Sequence, residues 1–320
     1  MLRGIKIKNI LMFTKVKEDY IKEIKDIMKD YKVLHIEEAK EEDIKNTEII
    51  ISFDFEFQPN IVDRTPNLRW IHLLTAGADT LPFEKLKEKG VVVTNSRDVH
   101  KHQISQQVIG YMLMFERGLH IFVRNQMKKI WDRSVEVSEL TDKIALIIGV
   151  GSIGEEIARL LRELGMKVYG IRSSGKPSPY VEKMYTSIEK CDILPLADYV
   201  ISILPLTKET YHLIGKNVFD KMKSDSFFIN VGRGKVVNEV DLINALKNKT
   251  IKGAALDVFE EEPLKEGSPL WEMENVIITP HIAGITPHYM KRAMEILREN
   301  LIAYKEGRTM RNIVDLDKGY

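Results

Sequence analysis

Three polar residues in the second half of the chain each follow a short β-rich run. Arg233 lies in FFINVGRGKVV, Glu262 in GAALDVFEEEP and His281 in NVIITPHIAG. In open α/β sheets, ligands collect beyond the carboxyl ends of the strands, so one rim would carry an arginine, an acid and a histidine. These types suit reduction of a ketone that sits beside a carboxylate. The flat, permanently charged guanidinium of Arg233 can grip the carboxylate, polarise the carbonyl, or do both. Hydride arriving at the carbonyl carbon builds negative charge on oxygen, and the imidazole of His281 is suited to deliver the proton. Glu262, bonded to the far ring nitrogen, would orient the ring and favour its charged form. In the oxidative direction His281 would be the base. Glu260 and Glu261 read as solvated neighbours, with Glu261 the substitute if the acid is misplaced by one position. Among the other histidines, His72 reads as packed, His100 and His102 as surface residues, and His288 as a competitor for a substrate role.

Such chemistry needs a hydride source. The stretch TDKIALIIGVGSIGEEIARLLRELGMKVYGI reads as strand, turn, helix, strand. Gly149, Gly151 and Gly154 form G-x-G-x-x-G: the first permits the tight turn, the second close approach of a pyrophosphate, and the third packing of helix on strand. The helix start at Ser152, Ile153 and Gly154 offers free N–H groups and a positive dipole end to phosphates. The next strand ends at Ile171. An acid commonly follows there to bind the adenosine ribose, but this chain has Arg172, Ser173, Ser174 and Lys176. A guanidinium can hold a 2′-phosphate through charge-assisted hydrogen bonds, and the serines add hydroxyls, so NADP(H) is expected over NAD(H).

The elements that must position these groups alternate along the whole chain, which predicts α/β architecture with parallel sheets. Strands are expected at Lys6–Phe13, Tyr31–Ile36, Ile49–Phe53, Arg69–Leu74 and Val91–Thr94. A second series follows at Ile144–Gly149, Lys167–Ile171, Tyr199–Ile203, Phe227–Val231, Gly253–Asp257 and Val276–Thr279. Between the two series a single long helix is expected, from about Lys101 to Lys129, too broadly apolar for a simple surface helix. Thr286 and Pro287 look like the N-cap and first position of a last helix.

Composition narrows the partners. Lys plus Arg is 48 and Asp plus Glu is 47, a net charge of +1, which gives no support to nucleic-acid or anionic-membrane binding. The N-terminus is too short and polar for a signal peptide, and no run is apolar enough for a membrane span. The single cysteine, Cys191, excludes an internal disulfide and a Cys-rich zinc site; no metal-ligand spacing occurs, and a cytoplasmic protein is expected.

The motifs GVGSIG, LPLTKETYHLIG, FINVGRGKVVNEVDLINAL, GAALDVFEEEPL and ITPHIAG, with TAGADTLPF and TNSRDVHKHQISQQVIGYML before them, resemble the D-isomer-specific 2-hydroxyacid dehydrogenase family in order and spacing. The resemblance implies two doubly wound parallel-sheet domains: a smaller flavodoxin-like substrate domain (1–99 with 288–320) and a Rossmann cofactor domain (100–287) that includes the long helix. It implies an Arg–Glu–His catalytic set at Arg233, Glu262 and His281. It places Asp257 near the nicotinamide carboxamide, and Leu204, Pro205, Thr210, Val231 and Gly284 along the cofactor. It puts the amides of Ala76 and Gly77 on the substrate carboxylate, beside Arg233 and His281. It further implies a homodimer and closure of the domains over a small 2-keto acid. Departures are Ser105, Gln106 and Gln107, where the family often has Ala-Glu-His, and SFDFEFQPN, where phosphoglycerate-type members are basic. Glyoxylate or hydroxypyruvate is therefore expected as substrate. The alternatives are an NAD-linked D-3-phosphoglycerate or D-lactate-type dehydrogenase, and a cofactor-sensing corepressor-like binding protein.

Overall fold

The computed structural model describes residues 8–78 and 80–317. The chain forms two compact units, Met1–Val99 with Thr286–Tyr320, and His100–Ile285. Each unit is built on its own parallel sheet.

In the first unit the strands are β1 (Lys8–Met12), β2 (Tyr31–His35), β3 (Thr47–Ser52), β4 (Trp70–Leu73) and β5 (Val92–Asn95), in the order β2-β1-β3-β4-β5. This is the flavodoxin-like order. The central β3, TEIIIS, is buried along its whole length, as a strand covered on both faces must be. Ile50 packs on one face with Leu11, Ile71 and Val93, while Ile49 and Ile51 pack on the other with Trp70, Ile296 and Leu297. The helix Tyr289–Lys305 supplies the last two. Lys6 and Ile7, expected at the start of β1, lie outside the described residues, as does Asp79 of the TAGAD stretch.

In the second unit the strands are β6 (Ile144–Ile148), β7 (Lys167–Ile171), β8 (Met184–Tyr185), β9 (Tyr199–Ser202), β10 (Phe227–Asn230), β11 (Gly253–Leu256) and β12 (Val276–Ile278). Their order is β12-β11-β10-β9-β6-β7-β8. Here too, alternate residues of one strand serve opposite cores: Leu146 and Ile148 face one cluster, Ala145 and Ile147 the other. The chain winds outward from β6 in both directions, so the switch point lies between the ends of β6 and β9, where this architecture opens a crevice for ligands. The two-residue β8 carries too short a signal to be expected from sequence.

Two expected elements differ. The long helix splits into Lys101–Glu116 and Leu119–Lys128. Gly118 between them takes a left-handed conformation (φ 61°), and a side chain there would press on Val135, 2.9 Å away. The last helix begins at Tyr289 rather than Pro287. Thr286 caps the turn before it, with Oγ1 accepting from the His288 amide at 3.3 Å. Among the described residues no helix is long and apolar enough to cross a membrane, and no group of three or more His, Cys, Asp or Glu is arranged to hold a metal.

Candidate active site

The nucleotide turn is built by close backbone approach. Gly149 has φ 103°, and a Cβ on it would lie 2.8 Å from the Ile203 carbonyl, across the switch point. A Cβ on Gly154 would meet the Gly149 carbonyl at 2.7 Å. At Gly151, by contrast, a Cβ would meet nothing within 4 Å, so the backbone there faces open space. The helix Ser152–Glu163 starts immediately after, and the N–H groups of its first turn, at Ser152, Ile153 and Gly154, are those a helix cannot pair internally. The turn thus fits a dinucleotide: a tight bend, an open backbone face and unpaired donors.

Beyond β7, Arg172 does not stand free. Its Nη2 donates to Glu155 Oε1 at 2.8 Å, its Nε to the Val150 carbonyl, and its Nη1 to the Lys176 carbonyl at 3.4 Å. Ser173, Ser174 and Lys176 are exposed, in a turn closed by the Gly175 amide on the Arg172 carbonyl. Leu204 and Pro205 follow β9. The Leu204 backbone lies so near Gly232 that a Cβ on that glycine would sit 2.7 Å from the Leu204 carbonyl. Thr210 Oγ1 accepts from the Thr207 amide and donates to the Pro205 carbonyl, both at 2.7 Å, which closes this loop; Val231 is buried.

The proposed acid–base pair is formed. Nδ1 of His281 lies 2.7 Å from Glu262 Oε2, and the other carboxylate oxygen accepts the Phe259 amide at 3.0 Å. The His281 side chain is 50% exposed. Arg233 is exposed after β10, with Nη1 bonded to the Gly232 carbonyl at 3.0 Å. Its charge reaches His100. Burial lowers the pKa of that imidazole, the Gly284 carbonyl at 3.3 Å opposes the shift, and Arg233 adds to it. His100, expected at the surface, is half-buried.

A family model described as the NAD binding domain of D-isomer specific 2-hydroxyacid dehydrogenases matches residues 109–283. The chain belongs to that family. It is an NAD(P)-dependent oxidoreductase of the D-2-hydroxyacid dehydrogenases. A glyoxylate reductase of Thermofilum pendens is 34% identical over 77% of this chain and 75% of its own length. Glyoxylate/hydroxypyruvate reductase B of Escherichia fergusonii is 31% identical over 87% of each chain. A solved structure of a probable 2-hydroxyacid dehydrogenase from Rhizobium etli, in complex with NADP, HEPES and L(+)-tartaric acid, superposes with a TM-score of 0.82. That structure is 26% identical, with 98% of this chain and 99% of that one covered.

In this D-2-hydroxyacid dehydrogenase, Asp257 is 1% exposed. Its carboxylate accepts from Thr279 Oγ1, from the Ile282 amide at 3.0 Å and from the Ala283 amide at 2.9 Å. All three donors belong to the turn that carries His281, and the His281 amide itself bonds the Asp257 carbonyl at 2.8 Å. Asp257 therefore shapes the turn. Behind it runs a relay that sequence reasoning missed: Gln107 donates to the Tyr111 hydroxyl at 3.0 Å, Tyr111 bonds Thr279, and Thr279 donates to Asp257. The spacing of Gln107 and Tyr111, one helical turn apart, was the available signal. Gly284 offers its carbonyl to Gln103 Nε2 at 3.1 Å. Glu260, expected as a solvated neighbour, keeps a side chain 32% exposed but also accepts the Glu239 amide at 2.9 Å and lies 2.8 Å from His212. Glu261 is exposed and paired with Lys265 at 2.6 Å. His288 is exposed and His72 is buried. Ala76 and Gly77 lie in the first unit, after β4; the Ala76 carbonyl accepts from Asn95 and the Gly77 carbonyl from Thr75, which fixes that turn from the carbonyl side.

Proposed function

We propose that this dehydrogenase reduces a small 2-keto acid of the glyoxylate or hydroxypyruvate class, using NADPH in preference to NADH and giving a D-2-hydroxy acid. The observation that carries the reading is the 2.7 Å His281–Glu262 pair on the rim that also bears Arg233, in the same unit as the dinucleotide turn. Bound NADPH supplies the hydride. Gly149, Gly151 and Gly154, with the first-turn amides of Ser152 and Ile153, would hold its pyrophosphate; Leu204, Pro205, Thr210, Val231, Asp257 and Gly284 would lie along it; Arg172, Ser173 and Ser174 would meet its 2′-phosphate. Arg233 binds the substrate carboxylate and polarises the ketone. His281 donates the proton from Nε2 to the oxygen as charge builds there. Glu262, held on its other oxygen by the Phe259 amide, keeps Nδ1 engaged and the ring aimed outward. Ala76 and Gly77, in the unit read as the substrate domain, would give their amides to the substrate carboxylate.

The Rhizobium etli protein, which was solved with NADP, and the two reductases acting on glyoxylate or hydroxypyruvate support this choice. The same reading makes the enzyme a cytoplasmic homodimer. Met127 and Trp131 are 84% and 91% exposed, an apolar strip that a second copy would bury. The test is a steady-state matrix of NADPH and NADH against glyoxylate, hydroxypyruvate, pyruvate and phosphohydroxypyruvate. The expected result is the highest kcat/KM with NADPH and glyoxylate or hydroxypyruvate, by about tenfold or more over the rest. A maximum at NADH with phosphohydroxypyruvate would overturn it.

A further inference from the structure

The adenosine end of the cofactor turn holds an acid after all, delivered from a different element. Glu155 lies in the first turn of the helix Ser152–Glu163, and its carboxylate reaches the guanidinium of Arg172 at 2.8 Å. The pair is partly sheltered, with side chains 18% and 38% exposed for Arg172 and Glu155. Arg172 is held at three points, since Nε bonds the Val150 carbonyl and Nη1 the Lys176 carbonyl. A guanidinium has five N–H donors, and Glu155 takes one of those on the outer fork, the edge that would grip a phosphate. The neighbouring Glu156 is differently placed: Arg159 binds it through two nitrogens, at 2.8 and 3.0 Å. Among the described residues, the one ion pair of Glu155 is with Arg172.

We infer that Glu155 is a cofactor-specificity residue that lowers the preference for NADPH and keeps NADH usable. This rests on the reading of Arg172 as the group that meets the 2′ position. A dianionic 2′-phosphate drawn to Arg172 must come close to the Glu155 carboxylate and displace it from Nη2. A carboxylate and a dianionic phosphate about 6 Å apart, screened by water, repel enough to change affinity about tenfold. A ribose 2′-hydroxyl carries no charge and can donate a hydrogen bond to the same carboxylate, which does the work of the acid missing after β7. Glu155 thus opposes one cofactor and accepts the other.

The test is direct binding, read by nicotinamide fluorescence on titrating NADPH and NADH into wild type, Glu155→Gln, Glu155→Ala and Arg172→Gln. In Glu155→Gln the Kd for NADPH should fall about tenfold, while that for NADH stays the same or rises; Glu155→Ala should move both in the same directions. A change below twofold for NADPH, or an equal change for both cofactors, overturns the role of Glu155. Arg172→Gln separates the two layers. If it collapses the NADPH:NADH ratio while Glu155→Gln leaves the ratio unmoved, the specificity role alone fails. If Arg172→Gln leaves the ratio intact, the 2′-phosphate reading itself falls.

Discussion

Two histidine–glutamate contacts are made by one loop. His281 lies 2.7 Å from Glu262, and His212 lies 2.8 Å from Glu260. Both histidines have left-handed backbones, φ 52° and 50°, and both acids come from the stretch Phe259–Glu262. Distance and residue type therefore do not distinguish them; their surroundings do. His212 is stacked on Tyr211 with ring centroids 4.0 Å apart, and its Nε2 is buried 2.8 Å from the carboxylate without the alignment of a hydrogen bond. Glu260 and Glu239 clasp each other, each carboxylate accepting the other's amide, at 2.9 and 3.2 Å. Nearby, a Cβ on Gly234 would collide with the Phe259 carbonyl at 1.7 Å, so the Arg233 loop and the Glu262 loop are pressed backbone to backbone. The His212 side is a clamp that sets the loops, and the His281 side is what they present. Under the proposed function, a histidine–acid pair serves as proton donor only where one ring nitrogen is left for substrate.

The sharpest way to break that contrast is to remove each histidine. His281→Ala should lower kcat by about 10²- to 10⁴-fold, the usual worth of a positioned general acid, with cofactor Kd unchanged in a fluorescence titration. His212→Ala should keep kcat within a few-fold and instead lower the urea midpoint of unfolding. Equal losses of turnover would erase the distinction. A smaller effect tests how far the support of His281 extends. Tyr111→Phe deletes the hydroxyl that bonds Thr279, in a side chain 2% exposed. Losing one such bond should lower kcat by roughly three- to tenfold while cofactor Kd holds. If Tyr111→Phe leaves kcat untouched and only lowers stability, the relay ends at Asp257 and does not reach the chemistry.

The parts of this site that were legible in sequence are those with a local signal. The strand IALII and the glycines after it announce themselves by apolar run and punctuation, and Arg233, Glu262 and His281 by following strand ends. The illegible parts are pairings between elements. Glu155 and Arg172 are 17 residues apart, and Glu239 and Glu260 are 21 apart. Nothing at either position marks its partner, because side chains from different strands and helices meet only after the sheet is wound. The break at Gly118 was equally hidden. One glycine is tolerated in a helical pattern, and the neighbour that crowds it, Val135, lies well downstream. Asp257 shows a third limit: its position at a strand end was visible, but three donors from the next turn occupy its carboxylate.

The clamp also has an electrostatic cost that a milder change should expose. Burial raises the pKa of Glu239, and the charges of Glu260 and Glu261 raise it further, against the Glu260 amide that lowers it. A carboxyl with a raised folded-state pKa holds its proton in the folded chain after the unfolded chain has released it. Its contribution is fully present below the ordinary value of 4.5 and is lost as pH rises through the folded value, so at neutral pH the ionised Glu239 is a burden. Glu239→Gln keeps a carbonyl oxygen for the Glu260 amide and removes the charge. It should raise the stability measured by urea unfolding at pH 7.5 by about 0.5 kcal/mol, the scale of a part-exposed charge pair, and leave it nearly unchanged at pH 4. Turnover should stay within about twofold, since a clamp on the loops acts on geometry and not on the proton. A gain of the same size at both pH values would mean that packing, not charge, is relieved. A loss at pH 7.5 would mean that the Glu239 carboxylate binds the Glu260 amide more strongly than its neighbours repel it, and the His212 side would then owe its rigidity to that charge.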